Sequence, residues 1–100
     1  MMTKGEFSWR IKVLPKEILS KTGSARYSEF NLLDGILGFK RVNTGKFWEL
    51  DINVLYHIYR TNSYINTSTI KLATGGQVNS PSVAVLISIG CIDKIGNRMR

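Results

Sequence analysis

The chain has one cysteine, one histidine and two prolines in 100 residues, and only seven acidic side chains against 14 basic ones. Each shortage closes off a class. A lone Cys91 cannot form an internal disulfide, which excludes a disulfide-stapled secreted scaffold. No Cys or His pair has metal-ligand spacing, so no metal and no cofactor are expected. No apolar run approaches the roughly 18 residues that cross a bilayer, so no membrane span is expected. Met1 to Arg10 has neither an apolar stretch nor a small-residue cleavage site. It does not read as a signal peptide, and Asn66-Thr67-Ser68 then reads as a chance glycosylation match. A cytoplasmic location is the expectation.

The material for catalysis is equally sparse, and the chain reads as a non-enzyme with no catalytic residue to name. Cys91, in Ile-Gly-Cys-Ile-Asp, reads as a buried small hydrophobe, and His57, between Tyr56 and Ile58, as a structural histidine. Glu49 and Asp51 would share a face in a strand and could hold a metal. At a helix start, Asp51 is more simply an N-cap. Gly75-Gly76 is a turn, because neither GxxxxGK[ST] nor GxGxxG is present.

What is present is an ordinary globular composition, 43% hydrophobic, with a net charge of +7. One domain over residues 1–100 is expected, with a small core and a homodimer as a plausible state. The excess charge makes a polyanion the default partner, nucleic acid before acidic lipid. It is spread: residues 1–46 carry +5, 47–59 carry −2 and 60–100 carry +4.

Residues 6–14 alternate, with Phe7, Trp9, Ile11 and Val13 on one face, which predicts a half-buried strand with a basic outer face. Pro15 to Gly23 reads as a short helix with Pro near its start and Gly at its end. Ser24 can cap a second helix through about Leu33, with Tyr27, Phe30 and Leu33 three apart and Gly35 and Gly38 beyond. Phe39 to Leu50 reads as a hairpin turning at Asn43-Thr44-Gly45. Its cations Lys40, Arg41 and Lys46 lie beside Phe39, Phe47 and Trp48, a mixture that can stack bases and hold phosphates. Residues 47–60 fit both periods; Asp51 as N-cap favours a strand to about Leu50 and a helix from Ile52 to Arg60. Residues 64–76 give an apolar dyad, a polar cap and a short helix closed by the double glycine. Ser80-Pro81 opens another helix, ended by Gly90, although its β-branched content keeps a buried strand in competition over 83–92. Residues 91–100 read as a strand and a basic turn or tail.

The order over residues 51–100 resembles the winged helix-turn-helix family of DNA-binding domains. The residues that carry the resemblance are Asp51 to Arg60 as first helix, Tyr64-Ile65-Asn66 as short strand and Thr67 to Thr74 as second helix. Ser80 to Ile89 stand for the third helix and Gly90 to Arg100 for strand and wing. The fold class that follows is α+β, with an N-terminal strand, short helices and a hairpin over 1–50, then a winged-helix-like unit over 51–100. The resemblance implies a third helix in the major groove, with Gln77, Asn79, Ser80 and Ser82 near base edges. It implies Thr67, Ser68, Lys71, Lys94, Arg98 and Arg100 near phosphates. The third helix has no Arg, Lys, Asn or Gln after Ser82, which implies weak sequence discrimination or a helix used for packing.

Three functions follow from these readings. The first is duplex DNA binding by a winged helix, as a transcription regulator or the DNA-binding part of a larger protein. The second is an RNA or single-strand binder using a basic aromatic sheet with Trp9, Phe39, Phe47 and Trp48 as stacking platforms. The third is a non-catalytic interaction or inhibitor protein whose apolar 83–92 stretch is an interface.

Overall fold

The computed structural model describes residues 1–76 and 78–99. The fold is α+β, with four helices and a four-stranded antiparallel sheet. Helix α1 (Lys4–Lys12) precedes a meander of β1 (Glu17–Leu19), β2 (Arg26–Leu33), β3 (Ile36–Arg41) and β4 (Lys46–Asp51), paired in chain order. Helices α2 (Ile52–Thr61), α3 (Thr67–Thr74) and α4 (Asn79–Ser88) follow. No helix among the described residues is long and apolar enough to cross a membrane.

The first third of the chain departs from the sequence expectation. The strand expected over 6–14 is helix α1. Thr3 caps it by accepting from the Glu6 N–H at 3.2 Å. Phe7 and Ile11, four residues apart, are its buried pair. Trp9 and Val13, which the alternating pattern would bury, stand 62% and 52% exposed. The helices expected over 15–23 and 24–33 are β1 and β2. Their pairing is non-local: Tyr27 lies opposite both Ile18 and Arg41, and Leu32 opposite Leu37. A bulge between Ser28 and Asn31, with Glu29 at φ 55°, shifts the register along β2. The β2–β3 turn is Asp34-Gly35, both at positive φ (52° and 77°), as a tight two-residue hairpin demands.

From residue 36 onward the sequence reading and the structure agree closely. The hairpin turns between Arg41 and Lys46. Asp51 caps α2, its Oδ1 accepting from the Asn53 and Val54 N–H groups at 2.9 and 3.3 Å. Residues 83–88 are helix rather than strand. The start of α4 is a correction: its N-cap is Val78, with no side-chain cap, and Ser80 lies inside the first turn.

The core joins both halves. Leu37, Phe39 and Leu50 of the sheet's inner face pack in one cluster with Phe7 and Ile11 of α1, Leu55 and Tyr59 of α2, and Val83–Leu86 of α4. Five consecutive residues of α4, Ser82 to Leu86, are buried. The apolar 83–92 stretch is thus core and not a free interface: Val83 to Leu86, Ile89, Cys91 and Ile92 are all enclosed. Polar bonds fasten the N-terminus to the rest. The Met2 N–H donates to Tyr59 Oη at 2.9 Å, Tyr56 donates to the Met2 carbonyl at 3.0 Å, and Arg10 Nη1 donates to the Ile89 carbonyl at 2.9 Å.

Three substitutions measure this arrangement by chemical denaturation. Phe7→Ala, at a fully buried site, is expected to cost about 3–5 kcal/mol, and Asp51→Ala about 1 kcal/mol through the lost cap. Trp9→Ala, in the exposed middle of α1, is expected to stay within about 0.5 kcal/mol. A large loss at Trp9 would mean that α1 does not present this face to solvent.

Candidate nucleic-acid interface

Helices α3 and α4 meet at a glycine turn. Gly75 ends α3 in the left-handed conformation, its N–H donating to the Lys71 carbonyl at 2.9 Å. Gly76 follows, with the Lys71 stem and the Asn79 amide packed close around it. The turn therefore brings Lys71 and Asn79 of the predicted set together, with Ser80 next in the chain. Gln77 and Arg100 lie outside the described residues.

The start of α4 opens on a cleft of about 230 Å³ lined by Tyr27, Arg41, Trp48, Gly76, Asn79, Ser80 and Pro81. No acidic residue lines it. The first-turn N–H groups of a helix have no intrahelical acceptor; Pro81 has no N–H, so Asn79 and Ser80 supply them here, and no side chain caps them. They carry partial positive charge. Tyr27 crosses from the sheet, its hydroxyl donating to Ser80 Oγ at 3.2 Å. Arg41 ends β3 and lies directly opposite Lys46 on β4. Like charges facing across a strand pair weaken the pairing, so this end of the sheet is held together despite local repulsion. The winged-helix reading does not include these sheet residues: Arg41, Lys46 and Trp48 enter the sequence analysis only as part of the basic aromatic hairpin, and Tyr27 only as a helix position. The pairing of β2 with β3 that sets Tyr27 beside Arg41 is long-range and leaves no local signal.

The other predicted residues fall into three groups. Thr67 and Ser68 sit exposed in the first turn of α3, where Asn66 and Thr69 form a capping box that already satisfies part of that terminus. Lys94 is exposed on a tight turn, and the Ile65 N–H donates to the Gly96 carbonyl at 2.8 Å, which fixes the turn against the start of α3. A Cβ at Gly96 would lie 2.5 Å from the Ile65 carbonyl oxygen, so only glycine fits there. Ser82 and Arg98 are corrections. Ser82 is fully buried and does not face solvent. Arg98 points its Nη1 back onto the Tyr59 and Arg60 carbonyls, at 3.3 and 2.9 Å, and closes the end of α2.

The stacking surface of the single-strand reading does not assemble. Phe39 is buried, Trp9 is on α1, and Phe47 and Trp48 are neighbours on β4 and so point to opposite faces. Phe47 is 67% exposed and carries Lys40 Nζ 5.8 Å from its ring centre, so it is a lone exposed ring and not part of a platform. Among the described residues, no group of three or more His, Cys, Asp or Glu side chains comes together. His57 is exposed on α2, so it is not held inside the fold. Burial pushes the Cys91 thiol up to about 12, so it is a protonated thiol at neutral pH and not a nucleophile.

Asp93 organises the Lys94 turn. Its Oδ1 accepts from the N–H groups of Ile95, Gly96 and Asn97 at 2.9 to 3.0 Å. The Asn97 N–H first, then those of Gly96 and Ile95, hold its carboxyl below the ordinary value of 3.8. The sign follows: the turn gains from the ionised carboxylate above pH 3.8 and loses that support as pH falls through the depressed folded value. The protection of the amides of residues 95–97, measured against their intrinsic exchange rates, is expected to fall on acidification through that range. In Asp93→Asn the protection should be low and lose this pH step, and an unchanged step would remove Asp93 as its source.

The chain matches no protein-family model, no curated protein and no solved structure.

Proposed function

We propose that the protein binds nucleic acid, duplex DNA foremost, in the manner of a winged helix-turn-helix whose third helix is sunk into the body of the fold. The observation that carries this reading is the cationic, acid-free corner at the α3–α4 turn. An uncapped helix N-terminus and Arg41 line it, and Lys46 lies opposite Arg41 on the neighbouring strand. A phosphate seated there relieves the Arg41–Lys46 repulsion and supplies the acceptor that the α4 terminus lacks.

The element order also supports it. α2, α3 and α4 are followed by a short turn whose flanks bridge Tyr64 to Asn97 and Ile92 to Arg98, both antiparallel. In the winged-helix layout this turn is the wing, with Lys94 at its tip. The burial of Ser82–Leu86 changes what such a domain can do. Base edges are within reach only of the first turn of α4, through the exposed Ser80, since the Asn79 side chain is half-buried with its Oδ1 enclosed. Affinity then comes mainly from phosphate contacts by Arg41, Lys46, Lys71 and Lys94, with modest sequence discrimination.

The test is fluorescence anisotropy of labelled duplex DNA, single-stranded DNA and RNA across a salt series. Four phosphate contacts predict a slope of log K against log salt of roughly −3.6 on duplex, and each of Arg41→Ala, Lys46→Ala, Lys71→Ala and Lys94→Ala should reduce it by about 0.9. Lys12→Ala, on the end of α1 that meets the opposite, C-terminal end of α4, should leave the slope unchanged. Equal loss from Lys12→Ala and Arg41→Ala would reduce the effect to net charge. No duplex binding at low salt would sink the proposal.

A further inference from the structure

A second cleft, of about 260 Å³, lies between α2 and the α3–α4 turn. Leu50, Val54, Leu55, Ile58, Ala73 and Val78 give it mostly aliphatic walls. Asp51, Thr74 and Ser82 are its polar members. Two of these are engaged: Asp51 Oδ1 caps α2, and the Thr74 hydroxyl donates to the Ile70 carbonyl at 2.9 Å. Ser82 is different. Its side chain is 0% exposed, and Oγ has no hydrogen-bond partner. A buried hydroxyl without a partner is costly, and native folds rarely keep one unless something else satisfies it. The helix position itself asks only for a small residue, and Ala84, two residues on and equally buried, meets that need without a polar atom.

We propose that this cleft is a binding site for a small, neutral, largely apolar molecule with a single hydroxyl, and that Ser82 is the group that recognises the hydroxyl. The size fits a substituted single ring: a cavity of about 150 Å³ already admits benzene. The aliphatic walls supply the affinity by burial. The Asp51 carboxylate in the lining disfavours an anionic ligand, and the absence of any Lys or Arg there leaves an anion no compensating charge. Ser82 Oγ has no open surface in the cleft as it stands, so binding as proposed requires Val78 or Thr74, half-buried side chains of the same lining, to turn aside. This site is separate from the cationic corner, shares none of its lining residues, and stands whether or not the protein binds nucleic acid.

The experiment is a titration of the full chain, followed by backbone amide NMR, with p-cresol, p-xylene and p-methylbenzoate as probes of one shape. p-Cresol is expected to give saturable shifts at residues 54, 55, 73, 74, 78 and 82 and to bind roughly five-fold tighter than p-xylene, the worth of one buried hydrogen bond. p-Methylbenzoate should not bind there. Ser82→Ala should keep the fold and erase the p-cresol preference, while Val54→Phe should block both neutral probes. Thermal unfolding without ligand gives an independent reading: Ser82→Ala should leave Tm unchanged or raised, because it removes an unpartnered group. The proposal is overturned if no probe gives saturable shifts at the cleft, or if the p-cresol preference survives Ser82→Ala. A Tm lowered by that substitution would also overturn it.

Discussion

A helix that buries five consecutive residues has no outward face, so its neighbours must cover it from every side. α4 is such a helix, and the rest of the molecule is arranged as its coat. The inner face of the sheet covers one side, with Tyr27 bonding directly to Ser80. α1 reaches the far end through Arg10 and the Ile89 carbonyl. α2 and α3 close the remaining sides, and the Ile65–Gly96 and Arg98 bonds pin the C-terminal turn beneath α2. Each of these attachments joins residues distant in sequence. The stability of the coat is therefore largely the stability of the helix inside it.

That constraint separates the two ends of α4. Its interior turns are committed to packing, while its first turn, uncapped and beside Arg41, is the part left for chemistry. Charge is arranged accordingly. Three cations are spent on carboxylates of the chain itself: Arg10 on Glu6 at 3.0 Å, Lys40 on Glu29 at 3.4 Å and Arg26 on Glu17 at 3.8 Å. Arg41, Lys46, Lys71 and Lys94 make no such pair among the described residues, and neither do Lys4, Lys12, Lys16, Lys21 and Arg60. What sets Arg41 apart is its place beside the first turn of α4.

How much of this was legible in the sequence differs by region, for physical reasons. α2, α3 and the hairpin carry local signals that act within a few residues: Asp51 as a cap, Asn66 as a cap, Gly75 as a terminator and a period matching the buried face. The N-terminal third misleads because Phe7 and Ile11, four apart, satisfy both the helical and the alternating period. What separates them is Thr3 followed three residues later by Glu6, a helix-start pair that begins ahead of the alternating run. In β2, Tyr27 and Phe30 both turn inward three residues apart because a bulge at Glu29 displaces the strand's own alternation, while Leu33, the third member of the helical set, is exposed. Asp34-Gly35 was the readable hairpin signal in that region. The candidate site was half legible: Lys71, Asn79 and Ser80 follow from the helix order. Arg41 and Tyr27 join them only through pairing across the sheet, which periodicity cannot report.

The bond between Arg10 and Ile89 spans 79 residues, and those of Met2 with Tyr56 and Tyr59 span more than 50. The groups that receive α1, Tyr56, Tyr59 and Ile89, lie far along the chain from Phe7 and Arg10. Such distant closures are slow, because the entropy of the intervening loop is lost before the contacts form. Phe7 and Ile11 are therefore sheltered only once the later helices present a surface to them, and an opening that frees α1 would expose this apolar pair while leaving the sheet paired.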